Sequence, residues 1–342
     1  SLICGAFGQY LWHLNYVRQV LARGGLSPQG ALSLMILEDG PLFVADTQVN
    51  PVPTPEQVAR LAAVETGLAS LSAALRDCPV ADDAQILRCH PSAYLARVRA
   101  AAPSDGWAQL DGDTYLSPHS LEAALRAVGG ACAAVDAVLS GDLTNAFVAC
   151  RPPGHHAETA TAMGFCLFGT VAIAAKHALD HHGLSRVAIV DFDVHHGNGT
   201  QDLLWDESRT LFISSHQMPL YPGSGARSET GAHGQIVNIP LREGSGGGVM
   251  RAAYEALAFP ALTAWKPELI LISAGFDAHQ DDPLAGLEWQ TDDYAWLTRR
   301  ICEIAETTCG GRVVSCLEGG YDLDALAASV AAHVGVLMEQ GQ

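Results

Sequence analysis

Short apolar segments alternate with helical segments through the C-terminal part of the chain, and this alternation constrains the fold more than any other feature. The apolar segments, rich in β-branched and aliphatic residues, are Ala146–Cys150, Val187–Val190, Thr210–Ile213, Leu269–Ile272 and Val313–Cys316. Helical patterns separate several of them, at Phe168–His182, Val249–Trp265 (which Pro260 breaks or kinks) and Asp292–Thr308. Continuous apolar strands between helices predict a parallel sheet covered by helices on both faces.

The N-terminal part of the chain is predicted to contain an irregular segment followed by two helices. Residues 1–55 are rich in Gly and Pro and have no clean period, so we predict irregular segments that cover a domain. A helix is predicted over Pro55–Leu71, because Thr54 can cap its first turn and apolar residues follow at helical spacing. A second helix is predicted over Ser117–Leu139. The sequence shows no linker after these helices, which favours a single domain.

Charge and cysteine content narrow the classes of partner and the compartment. The formal net charge is −18, which disfavours direct binding to nucleic acid phosphates. A negative surface can attract cationic substrates such as lysine tails or polyamines, although an acidic balance also simply keeps a protein soluble. Nine cysteines occur without a CxxC pair, as is typical of a reducing compartment. No apolar run has membrane-spanning length and Ser1–Gly8 lacks a basic secretory region, so we expect a cytoplasmic protein with no membrane contact.

Polar residues follow the carboxyl end of each of these predicted strands. The five polar segments are Arg151–His156, Asp191–Asn198, Ser214–His216, Ser273–His279 and Leu317–Tyr321. In open parallel sheets, ligands bind beyond the carboxyl ends of the strands. We therefore expect the His, Asp, Ser and Tyr side chains of these segments to form a single site.

The segment Asp191-Phe-Asp193-Val-His195 indicates a metal centre. Residues two apart in an extended chain point the same way, so the three polar side chains share one face. Carboxylate oxygen together with imidazole nitrogen suits a borderline divalent ion, Zn²⁺ or alternatively Fe²⁺. Asp277, which follows another strand, is the natural third ligand, and a helix N-cap is the competing role for it. Three protein ligands would leave a position for water, as in catalytic sites.

Two further segments are suited to acid–base and oxyanion chemistry. His155 and His156 follow a Pro-Pro-Gly turn, and such a pair can place a base and an electrostatic partner beside one reacting group. Tyr321 ends a Gly-rich segment and can donate to a developing oxyanion, with a packing role as the alternative. A second pair, His181-His182, ends a helix and is predicted to be a solvated C-terminal turn.

Taken in order, these motifs resemble the histone deacetylase superfamily, and most closely its class II branch with the bacterial histone deacetylase-like amidohydrolases. The resemblance covers a motif-bearing core over residues 84–336 of a predicted single catalytic domain, residues 1–342, in which residues 1–55 form an irregular, rim-forming segment. It rests on Arg151–Ala157, Gly164–Cys166, Asp191–Thr200, Gly275–Leu284 and Glu318–Tyr321. It implies the arginase–deacetylase fold, an α/β fold with about eight mainly parallel strands flanked by helices on both faces.

The resemblance also implies a role for each residue of the catalytic centre. Zn²⁺ would be bound by Asp193, His195 and Asp277. His156, oriented by Asn198, would be the general base and then the acid. His155, oriented by Asp191, would act mainly through its charge. Tyr321 would donate a hydrogen bond to the substrate carbonyl.

An acyl-lysine tunnel and a structural monovalent cation are implied as well. The substrate-binding residues would be Phe165, Tyr221, Gly164, Leu284 and Asp113. A K⁺ or Na⁺ ion would lie near the Asp191–His195 backbone and Ser214. One departure bears on substrate choice, because Asn50–Glu56 lacks the His and Arg of a His-Pro-Glu-Arg-Pro stretch that shapes one tunnel wall in the family.

The predicted function is zinc-dependent deacetylation of acetyl-lysine-type peptides or proteins by activated water. An acetylpolyamine amidohydrolase would use the same centre; the negative charge favours it, whereas Leu284 stands where some polyamine-selective relatives place an acidic gatekeeper. An arginase-type ureohydrolase would need more carboxylates for two metal ions, and Asn198 does not supply one. An inactive acyl-lysine-binding protein would have lost Tyr321 or a metal ligand, and neither is lost. The sequence leaves the oligomeric state open, a homo-oligomer included.

Overall fold

The computed structural model describes residues 55–69, 71, 73 and 76–341. Helices and a short antiparallel ribbon precede the main sheet. In chain order these elements are α1 (Pro55–Leu68), α2 (Asp83–Ile86), α3 (Ser92–Ala101), β1 (Ala108–Gln109), β2 (Tyr115–Leu116) and α4 (Ser120–Leu139). The two helices predicted for this part are present, with ends that differ by a few residues. The predicted cap Thr54 and the segment before it lie outside the described residues.

The main sheet has six parallel strands in the order β3–β8–β7–β4–β5–β6. Its strands and the helices between them are β3 (Asn145–Val148), α5 (Thr170–Asp180), β4 (Val187–Asp191), α6 (Asn198–Leu203), β5 (Thr210–Gln217), β6 (Ile236–Leu241), α7 (Gly247–Ala253), α8 (Phe259–Trp265), β7 (Leu269–Ala274), α9 (Thr291–Cys309), β8 (Val313–Leu317) and α10 (Leu323–Gln340). The predicted fold class is confirmed. The described part of this sheet has six strands rather than about eight, because β1 and β2 form the separate ribbon.

All five predicted strands are present, and β6 is a strand that the sequence pattern did not predict. It contains Pro240, which has no N–H for a ladder hydrogen bond and so weakens the strand signal. The sheet tolerates this residue because β6 is an edge strand. The predicted helix Val249–Trp265 is divided by a π-helical turn, Tyr254–Ala258, which joins α7 to α8.

Both faces of the sheet are buried, which explains the continuous apolar runs of its strands. Alternate residues of β4 enter different core clusters. Ala188 and Val190 pack on the side of Leu326 from α10, whereas Val187 and Ile189 pack on the side of α4 and α5. None of the described helices combines the length and apolar content needed to cross a membrane.

The strand order brings the polar segments to one edge of the sheet. β4 lies between β7 and β5, and its last residue, Asp191, is in register with Ser273 on β7 and Ser214 on β5. β8 pairs with β7 on one side and with β3 on the other. The segments that follow these five strands therefore surround the carboxyl end of β4, as the sequence predicted.

Candidate active site

Three side chains with metal-ligand chemistry converge beyond β4 and β7. One ligand atom each of Asp193, His195 and Asp277 lies within 4.8 Å of the others. His195 Nδ1 is 3.2 Å from both Asp193 Oδ1 and Asp277 Oδ2. The N–H of Gly319 donates to Asp193 Oδ2 at 2.8 Å, and that of Val194 donates to Asp277 Oδ1 at 2.9 Å. These bonds leave the second oxygen of each carboxylate directed towards His195.

The charge of this cluster fits a divalent cation. Asp193 and Asp277 are each only 1% exposed, and buried carboxylates are costly unless a positive charge compensates them. Burial alone would lower the pKa of His195, but hydrogen bonds and charges from the two carboxylates raise it to about 10. The same charges would favour a metal ion at this point. Two carboxylates and one imidazole are also a donor set that suits catalytic zinc.

Two glycines make room for the carboxylates. A Cβ atom on Gly319 would lie 2.1 Å from Asp277 Oδ2 and 2.5 Å from Asp193 Oδ2. A Cβ atom on Gly275 would lie 2.1 Å from Asp193 Oδ2. Any side chain at either position would therefore displace a candidate metal ligand.

His155 and His156 lie beside this cluster and have different partners. Their ring centres are 4.0 Å apart. His155 Nδ1 is 3.0 Å from Asp191 Oδ2, whereas His156 Nδ1 is 2.7 Å from Asn198 Oδ1. The structure thus brings together both of the pairs that the resemblance implied.

These surroundings give the two rings opposite proton affinities. Burial opposes protonation of His155, but the charges of Asp193, Asp191 and Glu318 outweigh it and raise the pKa of His155 well above its usual value. For His156, burial and the charge on His155 both lower the pKa well below its usual value. The surroundings therefore favour the protonated form of His155 and the neutral form of His156, which can accept a proton.

Glu318 anchors the loop that carries the histidine pair, a role that the sequence analysis did not assign. It accepts hydrogen bonds from the N–H groups of Gly154 (2.7 Å) and His155 (3.2 Å) and from Ser273 Oγ (3.1 Å). Burial raises the pKa of Glu318 to about 7. A carboxylate directly after the apolar strand β8 was the signal that could have indicated a buried role.

Tyr321 is fixed by two residues that the sequence analysis also gave no role. Its N–H donates to Asp282 Oδ2 at 2.7 Å. The guanidinium of Arg60 lies 4.7 Å from the centre of the Tyr321 ring and donates to the carbonyls of Gly320 (2.6 Å) and Glu318 (2.7 Å). Arg60 belongs to α1 and is 260 residues from Gly320 in the chain, so no local sequence pattern could indicate this contact.

A cavity of about 120 Å³ opens onto these side chains. Its lining consists of Asp113, Pro153, His155, His156, Gly164, Phe165, Asp193, His195, Tyr221, Leu284, Gly319 and Tyr321. Phe165, Tyr221 and Leu284 are 45%, 39% and 46% exposed and form its mouth. All five residues predicted to bind substrate therefore lie on this cavity.

The wall at Phe165 is a strained turn. Gly164 and Phe165 have φ values of +55° and +66°, in a region that a residue with a side chain rarely adopts. The N–H of Gly164 donates to Asp113 Oδ1 at 3.0 Å, and that of Phe165 donates to Thr114 Oγ1 at 3.1 Å. Asp113 therefore holds the turn in place, and its contact with substrate stays a prediction.

Four predicted site residues stand outside the cavity lining. Asp191, Asn198 and Asp277 lie behind it, where they contact the residues that do line it. Ser214 is buried on β5, and its Oγ is 3.0 Å from His216 Nδ1. A monovalent cation near Ser214 stays a prediction.

The family model described as "Histone deacetylase domain" matches residues 54–337. A second model, "Phosphate acetyl/butaryl transferase", matches residues 1–72, most of which lie outside the described residues.

Curated relatives and a solved structure agree with the larger match. An uncharacterized protein of Synechocystis sp. is 44% identical over 81% of this chain and 91% of its own length. Histone deacetylase 10, chloroplastic, of Oryza sativa is 42% identical over 71% of this chain but only 58% of its own length. Histone deacetylase-like amidohydrolase of Pseudomonas aeruginosa is 41% identical over 72% of this chain and 66% of its own length. The crystal structure of the HDA15 HD domain matches with a TM-score of 0.79 and 33% identity, over 85% of this chain and 83% of that one.

Proposed function

Because the chain belongs to the histone deacetylase family, we propose that it removes acetyl or similar acyl groups from lysine-type amines with the help of Zn²⁺. The observation that carries this proposal is the convergence of Asp193, His195 and Asp277 with a differently partnered histidine pair and Tyr321 around one cavity. The chemistry that a zinc ion supplies in such a site is polarisation of the acyl carbonyl and acidification of a water molecule.

His156 is the proposed proton carrier. Its Nδ1 faces the uncharged amide of Asn198, so Nε2 is the nitrogen left to take a proton from the attacking water. The same nitrogen then returns the proton to the leaving amine. His155, next to Asp191, keeps its positive charge and stabilises negative charge that develops nearby.

Tyr321 is the proposed hydrogen-bond donor to the developing oxyanion. Removing one donor of this kind typically costs ~10²–10³ in rate. The Tyr321 ring is 6.3 Å from Phe165, and Tyr221 is 5.2 Å from the His156 ring. These aromatic walls suit the aliphatic stem of an acylated lysine and keep bulk solvent away from the reacting atoms.

Other parts of the proposal concern the organisation and setting of the chain. We propose a single catalytic domain that contains the motif-bearing core, residues 84–336, and a structural K⁺ or Na⁺ near Ser214; the predicted rim-forming segment before Pro55 lies outside the described residues. The eight described cysteines are free, which accords with the reducing, cytoplasmic setting predicted from the sequence.

An acetylpolyamine is the second candidate substrate, and the formal charge of −18 favours it. Leu284 favours the peptide instead, because an apolar side chain at the mouth offers no partner to a polyamine ammonium. Purified, zinc-loaded protein should be assayed on acetyl-lysine peptides and acetylpolyamines side by side, with elemental analysis. We expect higher kcat/KM on the peptides. Faster turnover of polyamines would reverse the order of the two candidates, and hydrolysis of neither would favour an inactive acyl-lysine-binding protein.

A further inference from the structure

A second group of metal-ligand side chains lies on the outer helix layer. Asp136 is on α4, His177 is on α5, and His181 and His182 follow directly after α5. One ligand atom of each of the four residues lies within 4.8 Å of the others. The sequence analysis predicted a solvated turn for His181-His182, and both residues are exposed, but they belong to this larger group.

Short contacts already hold the four side chains together. His177 Nε2 and His182 Nε2 lie 2.6 and 2.7 Å from the same oxygen, Asp136 Oδ1. The rings of His177 and His181 stack with centres 4.8 Å apart and planes at 13°, because residues four apart are neighbours on a helix face. The ring centres of His181 and His182 are 4.9 Å apart.

One nitrogen of this group lacks a partner. His177 is only 5% exposed, and its Nδ1 has no hydrogen-bond partner among the described residues. Buried polar atoms are nearly always paired, so this nitrogen is an exception, while Nε2 of the same ring faces Asp136. Arg88, whose charge acts on His177, and Lys176, on the same helix as His177, lie 3.9 and 3.7 Å from Asp180.

We propose that Asp136, His177, His181 and His182 form a second, structural site for a divalent transition metal, with Zn²⁺ as the preferred ion. Three imidazoles and one carboxylate complete a tetrahedral shell, and imidazole suits zinc, copper and nickel better than calcium or magnesium. Four protein ligands leave no position for a substrate. A metal ion there would fasten α4 to α5 and would leave the chemistry to the cavity.

The two sites are separated by the length of α5. A Cβ atom on Gly154, next to the catalytic pair, would contact Thr170 at the start of the helix. The helix has 11 residues, which at 1.5 Å per residue is about 16 Å. Substitutions at His181 and His182, which are exposed, can therefore remove one site without touching the other.

Zinc titration of the full chain against an indicator of micromolar affinity tests the proposal. We expect two equivalents in the wild type and in His233→Asn, a control at an exposed histidine elsewhere. The double variant His181→Asn/His182→Asn should bind one equivalent, and Asp193→Ala should also bind one. An exchange to cobalt should give tetrahedral visible absorption in Asp193→Ala that disappears when the double substitution is added.

Thermal unfolding supplies a second readout, because an ion that binds only the folded state raises Tm. Zinc should raise the Tm of Asp193→Ala but not that of the triple variant Asp193→Ala/His181→Asn/His182→Asn. Two bound equivalents in the double variant, no bound zinc in Asp193→Ala, or a Tm rise that persists in the triple variant would overturn the second site. A wild type with one equivalent that the double substitution removes would support the second site and contradict the catalytic one.

Discussion

A pair of adjacent histidines lies near each end of α5, and the two pairs differ in burial and in the partners of their rings. His155-His156, beside the start of the helix, is buried, and each ring meets a different partner from a neighbouring element. His181-His182, at the other end, is exposed: His182 shares the carboxylate of Asp136 with His177, and the ring of His181 stacks on that of His177.

The chemistry of a histidine pair therefore depends on the groups around it and not on the dipeptide itself. At the buried end, the unequal partners raise the pKa of His155 and leave His156, whose pKa is lowered, able to accept a proton. At the exposed end, His177 and His182 face the same carboxylate oxygen, an arrangement that suits the proposed ion binding.

The largest expected effect comes from removing a candidate ligand at the buried end. Asp193→Ala or Asp277→Ala should lose the catalytic zinc and reduce kcat/KM by more than ~10⁴-fold, because activation of both carbonyl and water is lost. Elemental analysis in the His181→Asn/His182→Asn background isolates this site from the other end of the helix. Full metal stoichiometry in both variants would remove the assignment.

The two rings of the buried pair should differ from one another. His156→Ala should reduce kcat by up to ~10⁴-fold, as expected for loss of a general base, and His155→Ala should leave more activity. The assay compares the two purified variants at matched zinc content. A greater loss in His155→Ala would show that the roles are reversed.

At the buried site, the substitution Tyr321→Phe tests whether the protein is an enzyme or only binds acylated amines. It keeps the ring and removes the hydroxyl, so we expect kcat to fall ~10²-fold or more with little change in KM and unchanged zinc content. Near-full activity would assign Tyr321 a packing role only. Equally negligible hydrolysis by wild type and variant, on acyl-lysine and acylpolyamine substrates, would indicate a binding protein.

A buried histidine without a carboxylate extends the comparison to stability. His333 lies 2.7 Å from Thr298 Oγ1 and 2.9 Å from Ser315 Oγ, and burial lowers its pKa to about 3. Because the unfolded chain takes up this proton more readily, stability should fall as pH drops below about 6.5, by at most ~1.4 kcal/mol per pH unit. Denaturant unfolding of wild type and His333→Gln between pH 7 and 4 measures how the free energy of unfolding changes with pH. The same pH dependence in both proteins would contradict the lowered pKa of His333.

The smallest effect is expected at the exposed end. His181→Asn/His182→Asn should keep kcat within about twofold of the wild type at saturating zinc, since these exposed residues lie far from the cavity. Steady-state assays beside the His233→Asn control provide the measurement. A large loss of kcat with the catalytic zinc retained would mean that the two ends of α5 are coupled.

Local sequence patterns were enough to predict most of the sheet. Its strands are buried on both faces, so five of them appear as apolar runs that need no knowledge of the neighbours. β6, an edge strand, was not predicted because Pro240 weakens its strand signal. α10 was not predicted either, although it packs against the core.

The residues of the candidate site likewise divide into those that a local sequence pattern could predict and those that it could not. Asp191, Asp193 and His195 follow a single strand, so their shared direction could be predicted. Arg60 and Asp282 support Tyr321 through contacts that only folding creates. The cluster around His177 was missed for the same reason, since Asp136 comes from a different helix.

Gly275 and Gly319 have a consequence for engineering the selectivity of this protein. Even an alanine there would intrude on a carboxylate of the metal cluster, so a mutant library that includes these positions would be filled with inactive members. Leu284 and Tyr221 reach the same cavity from its exposed mouth. Randomising those two positions should change which acyl donors are accepted while the reactive centre stays assembled.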